Sequence, residues 1–275
     1  MAENSIDVAF VKQFEADVHL AYQRMGAKIT NTVRRKNNVN GESTTFQILA
    51  KGEAGTKARN GQVPVLNLAH TNVECTLADY YAGEYVDKLD ELKVEHDERQ
   101  VVAMSIAAAM GRKSDAILVA AMDAATTNQT ATAGGVTQAK YEEIYEHLGD
   151  NDVPDDGARC ISLSPQGWTD SMGITAFADR DYVPESELPF RGGAVSMKRW
   201  FSFMVFTFSG WSKASSIRTS MAWHKTAFGF ASGQEVSMDV TWQGKEQAHL
   251  MVGSLSQGAV LIDAVGSYQL RHTES

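Results

Sequence analysis

The first segment of the chain, Ile6 to Met25, has a helical pattern. Apolar residues recur at helical spacing with charged residues between them, at Val8, Val11, Phe14, Val18 and Tyr22. This spacing places the apolar side chains on one face of a helix. We therefore predict an amphipathic arm at the start of this sequence.

From residue 29 onward the pattern becomes that of β-structure. Segments Thr44–Ala50 and Val63–Ala69 have strand character, and a polar stretch containing glycines joins them. Both strands alternate weakly and carry few large apolar residues, so we predict a long hairpin that projects from the body of the protein. After it, Val73, Cys75 and Leu77 fall on one face of a half-buried strand.

The strongest helical signal lies between Asp97 and Thr126. An apolar stripe continues through this segment without proline, at Val102, Ile106, Ala109, Met110, Ile117, Ala121 and Ala124. Acidic residues open the segment, as the helix dipole favours. About 30 residues at 1.5 Å each span roughly 45 Å, which is long for a helix inside a compact domain of this size. We predict one long helix that serves as a strut.

The middle of the chain mixes helices and strands. A small polar connection, TTNQTATAGG, indicates a domain boundary, and a short amphipathic helix is predicted at Lys140–Leu148. An acidic turn, DNDVPDDG, precedes a β-like segment, RCISLS. Pro165 follows and is predicted to begin a helix that carries Trp168 and Met172, because proline is favoured at the first helical position.

An aromatic run between residues 200 and 211 allows two interpretations. Its members are Trp200, Phe201, Phe203, Phe206, Phe208 and Trp211. A base-stacking surface needs interleaved basic residues, and this run has none beyond Lys198 and Arg199. We therefore predict a buried strand.

Composition narrows the class of protein. The 275 residues are 43% hydrophobic and 21% charged, which is typical of one or two globular domains. A net charge of −9 argues against a protein whose main task is to bind nucleic acid. No segment approaches the roughly 18 apolar residues of a membrane span, and the first residues lack a secretory pattern. Cys75 and Cys160 lack a C-x-x-C partner and are predicted to be buried apolar residues in a reducing cytoplasm.

For each candidate chemical site, a structural role explains the residues better than a chemical role does. The stretch GEAGTKARNG lacks the G-K-[ST] ending of a phosphate-binding loop. Pro154 interrupts the ligand spacing that a calcium loop needs, and the seven histidines lack H-x-x-x-H or H-E-x-x-H spacing. Ser232 in GFASG misses the nucleophile-elbow spacing by one residue. We therefore predict that the protein is not an enzyme and has no catalytic, cofactor-binding or metal-binding residues.

The order of these elements resembles the major capsid proteins of tailed bacteriophages. The ending GAVLIDAVGSYQLR is the most recognisable piece, with a strand at Gly258–Asp263, a turn at Ala264–Gly266 and a returning strand at Ser267–Arg271. The resemblance covers nearly the whole chain and implies the α+β fold of that family. It implies an N-terminal arm (1–32), an extended β-hairpin loop (33–72), a peripheral domain (73–139 and 234–275) with a spine helix (about 97–126), and an axial domain (140–233).

The resemblance also implies contacts between subunits. The basic triplet Arg34, Arg35 and Lys36 could touch nucleic acid, but acidic side chains of a neighbouring subunit account for it equally well. The predicted contact residues are Arg34, Arg35, Lys36, Lys51, Lys57, Arg59, Asp87, Asp90, Glu91 and Glu95.

The function implied by the resemblance is that of a structural subunit. Such subunits assemble into hexamers and pentamers of an icosahedral head around double-stranded DNA, in the host cytoplasm and then as part of the virion. The implied partners are other copies, a separate scaffolding protein, a portal protein, in some phages a decoration protein, and packaged DNA by non-specific proximity, with no membrane and no cofactor. Two alternatives stay open, an encapsulin nanocompartment shell and, in a different class, a small cytoplasmic hydrolase.

Overall fold

The computed structural model describes residues 24–91, 98–178 and 197–274. Most of the predicted arm therefore lies outside the described residues. The chain forms two compact units. Among the described residues the first unit contains 24–26, 80–91, 98–112 and 236–255, and the second contains 27–79, 113–178, 197–235 and 256–274.

Helices and strands are both abundant, as the predicted α+β class requires. The helices are α1 (Lys88–Glu91), α2 (Glu98–Asp123), α3 (Gln138–Asp150), α4 (Pro165–Met172) and α5 (Thr175–Ala178). The strands are β1 (Arg34–Lys36), β2 (Ser43–Leu49), β3 (His70–Thr76), β4 (Ala78–Asp87), β5 (Arg159–Leu163), β6 (Met197–Trp200), β7 (Phe203–Thr207), β8 (Lys213–Ala214), β9 (Ile217–His224), β10 (Phe228–Gln243), β11 (Ala248–Leu261) and β12 (Ser267–Thr273). They form sheets in the orders β1-β10-β11-β4, β12-β9-β5-β7-β6 with β8 on β9, and β2-β3.

The predicted long helix is confirmed as α2. It has 26 residues and is about 39 Å long at 1.5 Å per residue. The two predicted helices of the middle region are confirmed as α3 and α4. Pro165 begins α4, and the side chain of Ser164 caps it by accepting a hydrogen bond from the Gly167 backbone N–H at 3.0 Å.

In the first unit, close packing joins β11 to α2. A Cβ atom on Gly253 of β11 would lie 2.5 Å from Cγ2 of Ile106, so only glycine allows this approach. Ile106 and Met110 are buried on the helix, and Met251 and Leu255 are buried on the strand. These alternate residues of β11 therefore form one packed face of the sheet.

In the second unit, the five-residue strand β5 is buried throughout. It lies between parallel β7 and antiparallel β9, and apolar clusters pack around these strands. The aromatic run belongs to this core, and Phe203, Phe206 and Trp211 are buried. It forms two antiparallel strands, β6 and β7, where one strand was predicted.

The predicted hairpin is present, but its second strand was predicted in the wrong place. Strand β3 pairs with β2 from Ser43 opposite Thr76 to Leu49 opposite His70. Residues 63–69, predicted as the returning strand, lie outside any strand. Pro64 has no backbone N–H to pair, and Asn67 has φ of 42°, which a regular strand does not accept.

The last strand lies in a different sheet from the one the sequence suggested. We grouped Ser267–Arg271 with the strands before it in the peripheral domain, but β12 pairs along its length with β9. A short 3₁₀ turn at Ala264–Gly266, capped by Asp263, separates β12 from β11. Leu270 is fully buried in the second unit's core, which stabilises this placement.

A buried carboxylate fixes the chain where the described residues begin. Asp115 of α2 is fully buried and accepts hydrogen bonds from the backbone N–H groups of Lys28 and Ile29 at 3.0 and 3.1 Å. Hydrogen bonds to a charged group are stronger than neutral ones. Asp115 therefore holds the segment that follows the predicted arm.

Changing Asp115 to alanine is expected to destabilise the unassembled subunit by roughly 2 to 4 kcal/mol, because the buried N–H of Ile29 and the partly buried N–H of Lys28 lose their charged acceptor. Chemical denaturation of the purified subunit measures this difference. Asp155→Ala is the matched control, since Asp155 is exposed, and it is expected to change the free energy of unfolding by about 0.5 kcal/mol or less. Equal effects of the two changes would contradict the anchoring role.

Candidate assembly surfaces

The loop between β2 and β3 exposes nearly all of its side chains. Every residue from 51 to 67 is exposed, including Val63, Val65 and Leu66, whose exposed fractions are 68%, 78% and 52%. Gly52 allows the two arms of the loop to approach, because a Cβ there would lie 2.6 Å from Cδ2 of Leu68. An exposed group of apolar side chains on a projecting loop is typical of a protein-interaction surface.

The basic residues of this loop, all predicted contacts, make few interactions within their own subunit. Lys57 and Arg59 are exposed and have no hydrogen bond or ion pair with any other described residue. Lys51 lies 3.0 Å from Asp152, but both side chains are mostly exposed, and such a pair contributes about 1 kcal/mol or less. These charges are therefore accessible to a partner.

The basic triplet forms β1, and two of its members are already engaged. Arg35 donates to Glu235 at 2.8 Å and to Asn31 at 2.9 Å. Lys36 donates to the backbone carbonyl of Thr45, and its ammonium lies 5.0 Å from the centroid of the Phe46 ring. Both side chains thus stabilise their own subunit.

The third member, Arg34, is exposed, and its guanidinium lies 5.6 Å from the Phe46 ring. Its predicted contact with another subunit stays a prediction.

Among the predicted acidic contacts, Asp87 ends β4 and accepts a hydrogen bond from the Leu89 backbone N–H at 2.7 Å. The side chains of Asp90 and Glu91 and all of Glu95 lie outside the described residues.

A second exposed surface, which was not predicted from the sequence, lies on β10, mostly in the first unit. Residues 234–242 form nine consecutive exposed strand positions. Alternate positions within them carry large apolar side chains, which we name the β10 stripe: Val236, Met238, Val240 and Trp242, with exposed fractions of 42%, 37%, 49% and 43%. Strict alternation normally indicates a face that packs on a core, so the pattern was visible in the sequence but its exposure was not.

Two tyrosines on β4, also in the first unit, add to the exposed apolar area. Tyr81 and Tyr85 are four positions apart and so lie on the same face of β4, and their exposed fractions are 71% and 53%. β4 is an edge strand of its sheet, and an uncovered edge strand with apolar side chains tends to associate with another chain. The first unit therefore exposes apolar side chains that are available for contact with another chain.

Side chains that could suggest catalysis have structural roles. Ser232 lies buried inside β10, without the strand-to-helix turn of a hydrolase nucleophile. Ser164, His272 and Glu274 meet in the second unit. The Glu274 carboxylate contacts the serine hydroxyl and also His272 Nε2, which is the ring nitrogen that the serine contacts. In a serine hydrolase the acid holds the other ring nitrogen.

The remaining predictions about chemistry concern cysteines, metals and membranes. Cys75 and Cys160 are confirmed as buried free cysteines, and burial raises the pKa of the Cys160 thiol to about 11. In the described ranges, no three His, Cys, Asp or Glu side chains come together in a way that could hold a metal ion. No helix in the described part of the chain has the length and apolar character needed to cross a membrane.

The comparison with protein families decides the identity of this fold. A family model for phage capsid proteins matches residues 6–274. The chain belongs to the phage capsid protein family. This capsid protein is thus a structural protein, a shell subunit and a component of the virion, as the resemblance implied. The matched family corresponds to the phage interpretation of the shell and not to the encapsulin one.

Solved structures show the same fold. The capsid of cyanophage P-SCSP1u has a TM-score of 0.77 at 14% identity, over 100% of this chain and 96% of that chain. A structure from Mycobacterium phage Che8 has a TM-score of 0.72 at 15% identity, over 98% of each chain. The capsid of a native GTA particle has a TM-score of 0.73 at 12% identity, over 99% of this chain and 100% of that chain. Among curated protein sequences there is no match.

Proposed function

We propose that this capsid protein assembles into hexamers and pentamers that close into an icosahedral head around double-stranded DNA. The observation that supports this most directly is the β10 stripe, an apolar strand surface that stays uncovered in the single subunit. Assembly would cover it. Burying one large apolar side chain stabilises an interface by roughly 1.5 to 3 kcal/mol, and a closed symmetric shell repeats that contact in every subunit.

The loop between β2 and β3 is the proposed partner of this surface on a neighbouring subunit. Residues 50–66 carry three basic side chains and one acidic side chain, Glu53. The first unit carries acidic side chains on the same two strands, at Glu84 and Asp87 of β4 and at Asp239 of β10. Opposite charges orient the two surfaces during encounter, and the apolar side chains of both surfaces are then available to pack together.

The proposed relation to DNA is enclosure without tight binding. The net charge of −9 disfavours adhesion to phosphates. The other proposed partners, a separate scaffolding protein, a portal protein and a decoration protein, and assembly in the host cytoplasm, are supported by the resemblance to tailed-phage capsid proteins. The same resemblance supports the absence of catalysis, and the division into axial and peripheral domains stays a prediction.

A lysine placed in the β10 stripe tests the proposal. Val240→Lys is expected to lower the yield of closed shells by about tenfold or more, because the interface would have to bury a charge, while the melting temperature of the subunit changes little. Thr241→Lys is the matched control, since Thr241 is exposed and adjacent on the same strand. Sedimentation and negative-stain microscopy measure the yield.

Normal shells from Val240→Lys would contradict the role of the stripe. If the unaltered protein under assembly conditions stayed a monomer or dimer, the shell proposal itself would fail.

A further inference from the structure

A buried polar cluster joins the last described strand to the start of α4. The hydroxyl oxygen of Ser164 lies 3.2 Å from His272 Nε2 and donates to Glu274 Oε1. The second oxygen of Glu274 accepts a hydrogen bond from Arg218 Nε of β9 at 2.9 Å. Ser164, His272 and Glu274 have exposed fractions of 1%, 0% and 4%. Together with Arg218, these buried side chains link the end of β12 to β9 and to the N-cap of α4.

The hydrogen bonds of the Ser164 hydroxyl determine which nitrogen of His272 carries the proton. The Ser164 hydroxyl has one hydrogen, which goes to Glu274, so its oxygen accepts from the Gly167 backbone N–H and from His272 Nε2–H. The neutral imidazole then carries no hydrogen on Nδ1. That nitrogen is buried without a hydrogen-bond partner among the described residues. A proton added there would form a charged donor with no acceptor.

We propose that Ser164, His272 and Glu274 form an acid-sensitive clasp that holds β12 on β9 at neutral pH and releases it as the pH falls. β12 is the edge strand of its sheet, and its other side is hydrogen-bonded to the connection at residues 128–134. Its release therefore breaks its ladder with β9 and those bonds, and it leaves the other strands paired. The proton that opens the clasp binds at His272 Nδ1, and further acidification protonates Glu274 and removes its ion pair with Arg218.

The groups around the clasp shift the pKa of His272 in both directions. Burial is the main cause that lowers the pKa of His272; Glu274 and Asp170 of α4 raise it, and Lys140 of α3 lowers it further. Burial alone would raise the pKa of Glu274, but hydrogen bonds from Ser164 and Arg218 outweigh it, so that pKa is also lowered. Lys213 of β8 lies 3.9 Å from the same carboxylate.

The lowered pKa values of His272 and Glu274 both make the fold less stable as the pH falls. A group with a lowered folded pKa stabilises the fold above its ordinary pKa, and this contribution is lost as the pH falls through the folded value. The loss therefore begins below the ordinary histidine value of 6.5 and continues below the ordinary glutamate value of 4.5. The loss therefore starts with the histidine, because its ordinary pKa is the higher of the two, and mild acid is the trigger.

Hydrogen exchange of the unassembled subunit tests the clasp. Backbone exchange is measured by mass spectrometry at about pH 7.5 and about pH 5.5, on either side of the ordinary histidine pKa, and corrected for intrinsic rates. The protection of residues 267–274 is expected to fall several-fold, up to roughly tenfold for one proton taken up, while residues 98–123 of α2 keep theirs. In His272→Gln, which keeps an N–H donor but does not titrate, protection of 267–274 is expected to be equal at both pH values.

Constant protection in the unaltered protein would overturn the proposal, as would an equal loss in both segments or an equal loss in His272→Gln. If that variant does not fold, imidazole NMR of the unaltered subunit decides, and a His272 pKa at or above its ordinary value would overturn the clasp. None of these measurements depends on shell formation, so failure of the clasp is distinct from failure of the proposed function.

Discussion

Replacing residues 50–64 with a short Gly-Ser turn is expected to abolish shell assembly and to leave the subunit folded. In the single subunit the replaced segment is exposed and contributes almost nothing to the core. The pairing of β2 with β3 and the burial of Phe46 and Cys75 at the hairpin base lie outside it. The free energy of unfolding is therefore expected to change by about 1 kcal/mol or less, which shifts the melting temperature by about 2–4 °C.

Assembly is expected to fail because every subunit of the shell would lose the same contact. Particle yield by sedimentation and microscopy, compared with thermal melting of the unassembled subunit, measures the two effects separately. A length-preserving variant with Val63, Val65 and Leu66 changed to serine tests the apolar side chains alone, and it is expected to assemble poorly as well. Intact shells in normal yield from the shortened loop would refute its role, and an unfolded subunit would show that it contains part of the core.

Proline at position 108 is expected to destabilise the subunit by about 3 kcal/mol or more. Ala108 is buried near the middle of α2, where proline removes a helix hydrogen bond and its ring clashes with the preceding turn. That is a large part of a typical folding free energy of roughly 5 to 15 kcal/mol. Circular dichroism and chemical denaturation of the purified variant measure the loss, together with its soluble yield.

Ala107→Gly is the graded control for the same helix. Ala107 is the exposed neighbour of Ala108, and glycine there is expected to cost about 1 kcal/mol. A normal free energy of unfolding for Ala108→Pro would show that no continuous helix passes through position 108.

Features that depend on neighbouring residues in the chain were readable from the sequence. The apolar spacing between residues 97 and 126 predicted α2 to within three residues at either end. Pro165 after Ser164 predicted the start of α4, because proline at the first helical position and a serine cap act within one turn. The order of such elements was also sufficient to recognise the capsid family and its α+β fold.

Features that depend on distant pairing were not readable. The returning strand of the hairpin was predicted at Val63–Ala69. Pro64 was a local signal against that segment, but only the pairing with β2 shows that the strand is His70–Thr76. Strand β12 follows β11 in the chain but pairs with β9, because the buried surface it completes is formed by residues remote in sequence. Local patterns contain no information about which of two strands forms the better ladder.

The candidate surfaces divide in the same way. The polar and basic composition of residues 50–62 predicted an exposed loop, and these residues are exposed, while their contacts with another subunit stay a prediction. Alternation on β10 predicted a strand with one apolar face, but it could not show that this face is left uncovered within the subunit. The clasp joins Ser164 to residues 108 and 110 positions away. Local periodicity specifies which side chains share a face, whereas burial and hydrogen bonding across the sheets depend on which remote segment packs against that face.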